Sequence, residues 1–182
     1  GRTMQTIFLY GDRRDMFLRT ALLGALAQSG SVLYVEEGHF FQAPEEDPAF
    51  FVYECECLPS LSVSKGLLLL KNSCSCRELS LPSGIWAVLE SGNHSGACAL
   101  RHQPSPVISC GCSARDTLSL ASIEDETAVL SLQRSVFTLN GKLVEPHDFS
   151  VSLQSRRHPH QILPVAMALL LCGIPTEQGY CI

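Results

Sequence analysis

The chain has 182 residues, of which 46% are hydrophobic and 17% charged, and its net charge is −5. A chain of this size and balance buries roughly 70% of its unfolded surface, which excludes a disordered protein and removes any need for cross-links to hold a core. Lys and Arg never run beyond a pair (Arg13-Arg14, Arg156-Arg157), which speaks against a dedicated nucleic-acid or anionic-membrane surface.

Taken in chain order, Gln5–Tyr10 reads as a short buried strand closed by Gly11. Residues 12–29 read as a helix, because Phe17, Leu18, Ala21, Leu22, Ala25 and Leu26 form one stripe. Asp12 is placed to cap its start, and Gly30 to stop it. Further strands are expected at 31–35, 50–54, 66–70, 85–89 and 107–109, with a polar loop over 36–48. These runs are nearly all apolar, the pattern of strands covered on both faces of a parallel sheet.

After Cys112 the period changes to alternation, clearest where Phe149, Val151 and Leu153 interleave with Ser150 and Ser152. Asn140-Gly141 is the strongest hairpin signal. A last helix is expected over 162–172, with Pro164 tolerated only in its first turn. The reading is one α/β domain over 1–182, with a mostly parallel three-layer part (1–112), an antiparallel β extension (113–155), and a terminal helix and tail (156–182).

The apolar stretch 162–174 is too short to span a bilayer, and the start carries no charged-then-apolar signal pattern. Nine cysteines, an odd number, in a chain with ample core predict free thiols and a cytoplasmic setting.

A strand running through one glycine into a helix is the layout of a nucleotide-phosphate site. Such a site needs several free backbone N–H groups, glycines that admit the anion, and a lysine. Here Gly11 is the only glycine, followed by Asp12-Arg13-Arg14-Asp15, with no Gly-Lys-Ser/Thr and no G-x-G-x-x-G. A capping Asp12 would use the N–H groups a phosphate needs and set a negative charge beside it. The turn has the shape of a nucleotide site without its chemistry, so no cofactor is predicted.

Several stretches together resemble the central domain of the Mur ligases, ATP-dependent enzymes that add amino acids to peptidoglycan precursors. "IFLYGDRRDMFLRTALLGAL" is similar to the family's strand, phosphate loop and first helix. "FFVYECE" resembles the strand ending in a metal-binding glutamate, which implies Glu54 at that position. "LPSGIWAVLESGNHSG" resembles the segment that ends Asn-Asp-Asp. "SPVISCGCS" is similar to the strand before the antiparallel part, and "HPHQILPVAMALLLCGIP" to the helix that opens His-Asn-x-x-Asn. The resemblance implies a Rossmann-like fold over most of the chain. The chain departs from the family at the loop lysine and threonine, at Glu90-Ser91-Gly92 for Asn-Asp-Asp, and at Gln161 and Pro164 for the two asparagines. The segment bearing the family's metal-binding histidine is shortened to 71–81, and the flanking domains have no counterpart. What is implied is a relative that has lost ATP-driven ligation.

Three Cys-x-Cys pairs remain: Cys55/Cys57, Cys74/Cys76 and Cys110/Cys112. On a strand this spacing puts both thiols on one face, so each pair is a candidate soft-metal or redox site. Zinc sites space their cysteines more widely, and buried cysteine is a good small core residue, so structural thiols are the preferred reading. His94, Cys98 and His102 would align on one helix, but glycines crowd that segment; His158 and His160 read as an entry to the last helix. No G-x-S-x-G elbow supports nucleophilic catalysis.

The function expected is therefore a non-catalytic binding or partner module. The alternative is an enzyme or nucleotide-binding protein in which Gly11, Asp12, Arg13, Arg14, Glu54 and Asn93 surround a cleft for a small anionic ligand. A thiol metal or redox protein is the third reading. A protein partner or a homodimer through a meander edge stays open.

Overall fold

The computed structural model describes residues 3–39, 42, 44–58 and 63–182. Its first part runs β1 (Gln5–Tyr10), α1 (Phe17–Ala27), β2 (Val32–Glu36), β3 (Phe50–Cys55), β4 (Gly66–Leu70), β5 (Ile85–Glu90), α2 (His94–Ala99) and β6 (Val107–Gly111). The second part runs β7 (Leu118–Ile123), β8 (Thr127–Leu132), β9 (Val136–Phe137), β10 (Leu143–Val144), β11 (His147–Ser152), α3 (Pro159–Leu171) and β12 (Tyr180–Cys181). Ten of the strands form one sheet in the order β12-β11-β8-β7-β6-β5-β4-β1-β3-β2.

The run from β2 to β6 pairs in parallel throughout, with β1 held between β3 (Gln5↔Phe50 to Tyr10↔Cys55) and β4 (Ile7↔Leu67 to Tyr10↔Leu70). Alternate residues of these central strands enter two different cores. Ile7, Leu9, Leu67 and Leu69 meet α1 and α3 on one face. Phe8, Tyr10, Leu68 and Leu70 meet Leu81, Ile85, Ala99 and Leu100 on the other, under α2 and the segment after β4. That double burial is why the strands are apolar without alternation. The result is the expected three-layer α/β arrangement.

α3 is the central helix of the first face, and every residue from Gln161 to Leu171 is buried. Each Leu, Ile, Val or Met withdrawn there contributes about 1.5–3 kcal/mol. The helix starts earlier than the sequence suggests because His158 and Gln161 form a capping box: His160 N–H donates to His158 Nδ1, and His158 N–H to Gln161 Oε1. Pro164 consequently lies in the second turn, not the first. Lacking an N–H, it leaves the His160 carbonyl without its helical donor.

The antiparallel part begins after β7, which joins β6 in parallel; β7, β8 and β11 then pair antiparallel. The Asn140-Gly141 turn forms as expected, with Gly141 at φ +83°, but its strands β9 and β10 stand as a separate small ribbon. β12, too short and mixed to be read from sequence, covers only the end of β11 (Val151↔Tyr180, Ser152↔Cys181). The polar stretch expected to loop over 36–48 lies partly outside the described residues, and its acidic run Glu45-Glu46-Asp47 is exposed. Among the described residues, no helix is long and apolar enough to cross a membrane.

Candidate functional site

The carboxyl ends of β1, β3, β4 and β5 meet at one edge of the sheet, and the loop 11–16 crosses it. This loop corrects the expected helix over 12–29. α1 starts only at Phe17, and Asp12 caps the loop rather than the helix. Asp12 Oδ1 accepts the N–H of Arg14 at 2.9 Å, and its carboxylate holds the Arg14 guanidinium. The Arg14 side chain, then its N–H, lower the Asp12 carboxyl from 3.8 to about 2.

The loop lies where a phosphate loop would, but its N–H groups from Gly11 to Asp15 are occupied. Gly11 N–H donates to Cys55 O (3.0 Å), Asp12 N–H to Ser73 Oγ (3.2 Å), and Arg13 N–H to Glu56 Oε1 (3.0 Å). Asp15 N–H donates to Asp12 O (3.0 Å), and Phe17 N–H, at the start of α1, to Asp15 Oδ1 (3.2 Å). Three carboxylates of the protein itself, those of Asp12, Asp15 and Glu56, thus take the places that an anion would occupy at a free helix start.

Below the loop lies a buried ion cluster that the sequence did not reveal. Lys71, directly after β4, is 1% exposed; its Nζ stands 2.9 Å from Glu54 Oε1 and donates to the Asp12 carbonyl at 2.8 Å. Glu54 Oε2 accepts from Arg19 of α1 and from the Tyr34 hydroxyl of β2. Arg19 also lies 3.6 Å from Glu36 and stacks its guanidinium 5.4 Å from the Tyr34 ring. Burial, then the hydrogen bond to Glu54, drives the Tyr34 hydroxyl upward. A carboxylate withdrawn this far from water persists only when paired, and here two cations and a phenol pair it.

Two cavities flank the loop. The smaller, about 180 Å³, is walled by Arg13, Glu36, Glu37, Glu54 and Glu56. Four carboxylates to one guanidinium make it a poor receptor for an anion. The larger, about 310 Å³, lies on the α3 side. Phe17, Leu18, Leu70 and Pro164 supply its apolar wall, and Asp15, Asn72, Glu90 and His160 its polar groups.

Of the residues singled out in the sequence, Gly11, Asp12, Arg13, Arg14 and Glu54 come together at this edge. Asn93 does not line either cavity. It caps α2 by accepting from Gly96 N–H, and its amide donates to Leu70 O and Lys71 O at 3.1 Å each. Of the thiol pairs, Cys55 and Cys110 are buried, while Cys57 and Cys112 are exposed. Burial pushes the Cys55 thiol up to about 12, and that of Cys110 well above 9.0. Among the described residues, no three His, Cys, Asp or Glu side chains converge on a metal-sized point. Cys76 and Cys98 form a disulfide that ties the segment after β4 to α2, which corrects the expectation of free thiols throughout. α2 is only six residues long and ends before His102, so His94, Cys98 and His102 do not share one helix, as the glycines crowding that segment suggest.

No family model matches the chain, and no curated protein does. Among solved structures, the chain is similar to a MurF ligase from Thermotoga maritima in complex with ADP. The TM-score is 0.54 at 11% identity, over 93% of this chain and 45% of that one, so this chain spans less than half the length of the ligase chain. Likeness at that identity is likeness of fold: the chain has a Mur ligase-like α/β architecture.

Proposed function

We propose that this chain is a binding or partner module built on a ligase-like frame that does not use ATP. The observation that carries the reading is the filled first loop. A nucleotide phosphate would have to displace Glu56, Asp12 and Asp15 from the loop N–H groups. Lys71, the only lysine at this edge among the described residues, is committed to Glu54 and the Asp12 carbonyl, and its stem lies against Gly11. With three of its amides held by carboxylates and its lysine withdrawn, the junction offers a triphosphate repulsion in place of a cradle. The edge then remains as a surface whose ligand or partner is set by other groups.

Isothermal titration with Mg-ATP tests this directly. No saturable heat is expected; micromolar binding competed by ADP would overturn the reading.

A further inference from the structure

The larger cavity has a chemistry of its own. Glu90 ends β5, is 8% exposed, and turns its carboxylate into the space between the first loop and α3. Its buried Oε2 accepts no aligned hydrogen bond among the described residues. His160 Nδ1 lies 3.1 Å away, and neutralises it only when the imidazole is protonated. A second carboxylate, Asp15, also lines the cavity and retains acceptor positions beyond Phe17 N–H and Ser73 Oγ. Among the described residues, no Lys or Arg lines the cavity.

Two helix starts face this space, and a bare helix start favours anions. At each, one N–H is already taken: that of Phe17 by Asp15 and that of His160 by His158. Asn72 adds a neutral polar group, and the rest of the wall is apolar and includes Phe17, which is 40% exposed. A volume of about 310 Å³ sits at the small end of ligand pockets, roughly 300–1,000 Å³.

We infer that this cavity binds a small organic ammonium ion, its charge against Glu90 and Asp15 and its apolar part against Phe17, Leu70 and Pro164. The ammonium supplies the donor that Glu90 Oε2 lacks, and an aromatic face beside the charge adds a cation–π contribution. The inference rests on the module reading above in one respect, that no nucleotide occupies this edge.

The experiment is a calorimetric titration of the full chain with benzylamine hydrochloride and, in parallel, with the neutral benzyl alcohol. Benzylamine is expected to saturate with a Kd of roughly 1 mM or tighter, and the alcohol to bind at least about tenfold more weakly. Glu90→Gln should weaken benzylamine at least about tenfold, whereas His160→Gln, which removes a competing group, should leave binding intact or tighter. Should Glu90→Gln fail to fold, Asp15→Asn and the amine-to-alcohol ratio decide the matter, with Asp15→Asn expected to weaken the amine alone. Equal binding of amine and alcohol, undiminished binding to Glu90→Gln, loss of binding in His160→Gln, or no saturation would each overturn the inference. Nucleotide binding would overturn the module reading, but the amine-to-alcohol ratio would still be read separately.

Discussion

Lys71 and Glu54 meet across the end of β1. One follows β4 and the other nearly closes β3, and β1 runs between those two strands. Their ion pair of 2.9 Å therefore bridges the strand that leads into the first loop, with the Lys71 stem resting over Gly11. The loop's shape, its glycine and its buried charges are one arrangement.

Lys71→Met is expected to destabilise the fold by about 3 kcal/mol, because it leaves Glu54 buried with a single cation, Arg19. Urea unfolding should show a lower midpoint at an unchanged slope. Adding Glu54→Gln should recover part of that loss, since the two residues interact directly. A loss below about 1 kcal/mol for the single variant would contradict the ion cluster.

Two glycines separate close approach from mere flexibility. A Cβ on Gly11 would stand 2.6 Å from Lys71 Cβ, so Gly11→Ala should cost about 1–3 kcal/mol. Gly24, inside α1, has nothing within 4 Å of its virtual Cβ, so Gly24→Ala should stabilise by about 0.4–1 kcal/mol. Thermal melting of both variants checks the opposite signs.

The Cys76–Cys98 disulfide gives a count. Seven of the nine cysteines are free, so thiol titration of denatured, unreduced protein should find seven per chain, and nine after reduction. The bridge joins residues 22 apart in sequence, and reduction should lower stability by about 3 kcal/mol. Nine thiols before reduction would contradict the bridge.

Alkaline pH should weaken the fold. Burial raises the Cys55 and Cys172 thiols from 9.0 to about 12, and it also raises the Tyr34 and Tyr180 hydroxyls. Above pH 9.0 the unfolded chain releases these thiol protons while the folded chain keeps them, so stability falls as pH rises, and the tyrosines add to the fall above 10.0. Melting temperature should decline steadily from about pH 8 to 11, less steeply in Cys172→Ala. A flat profile would show that these groups are not buried as described.

The parallel strands were legible because their residues are buried on both faces, as in Ile7–Tyr10 and Leu67–Leu70. The start of α1 was not, because residues 12–15 are polar enough to continue the amphipathic pattern, while Asp12 closes a turn with Arg14 instead. Lys71 was invisible as a site residue: it carries no motif, and its partner Glu54 reaches it only because β1 inserts between β3 and β4. Glu90 and His160 each stand out in the sequence for other reasons, but nothing there pairs them; they are brought together by the packing of α3 over β5. The disulfide was missed because composition argued for thiols, whereas the segment after β4 folds back against α2. Pro164 misled the placement of α3, whose start is set by the His158–Gln161 capping box.

The central claim concerns the N–H groups of the first loop, and amide-resolved NMR of the full chain during addition of Mg-ATP reads them one by one. The account predicts that the signals of Asp12, Arg13, Arg14 and Phe17 stay in place throughout. Saturable movement of those four amides would mean that a phosphate displaces Ser73, Glu56, Asp12 and Asp15, and would contradict it.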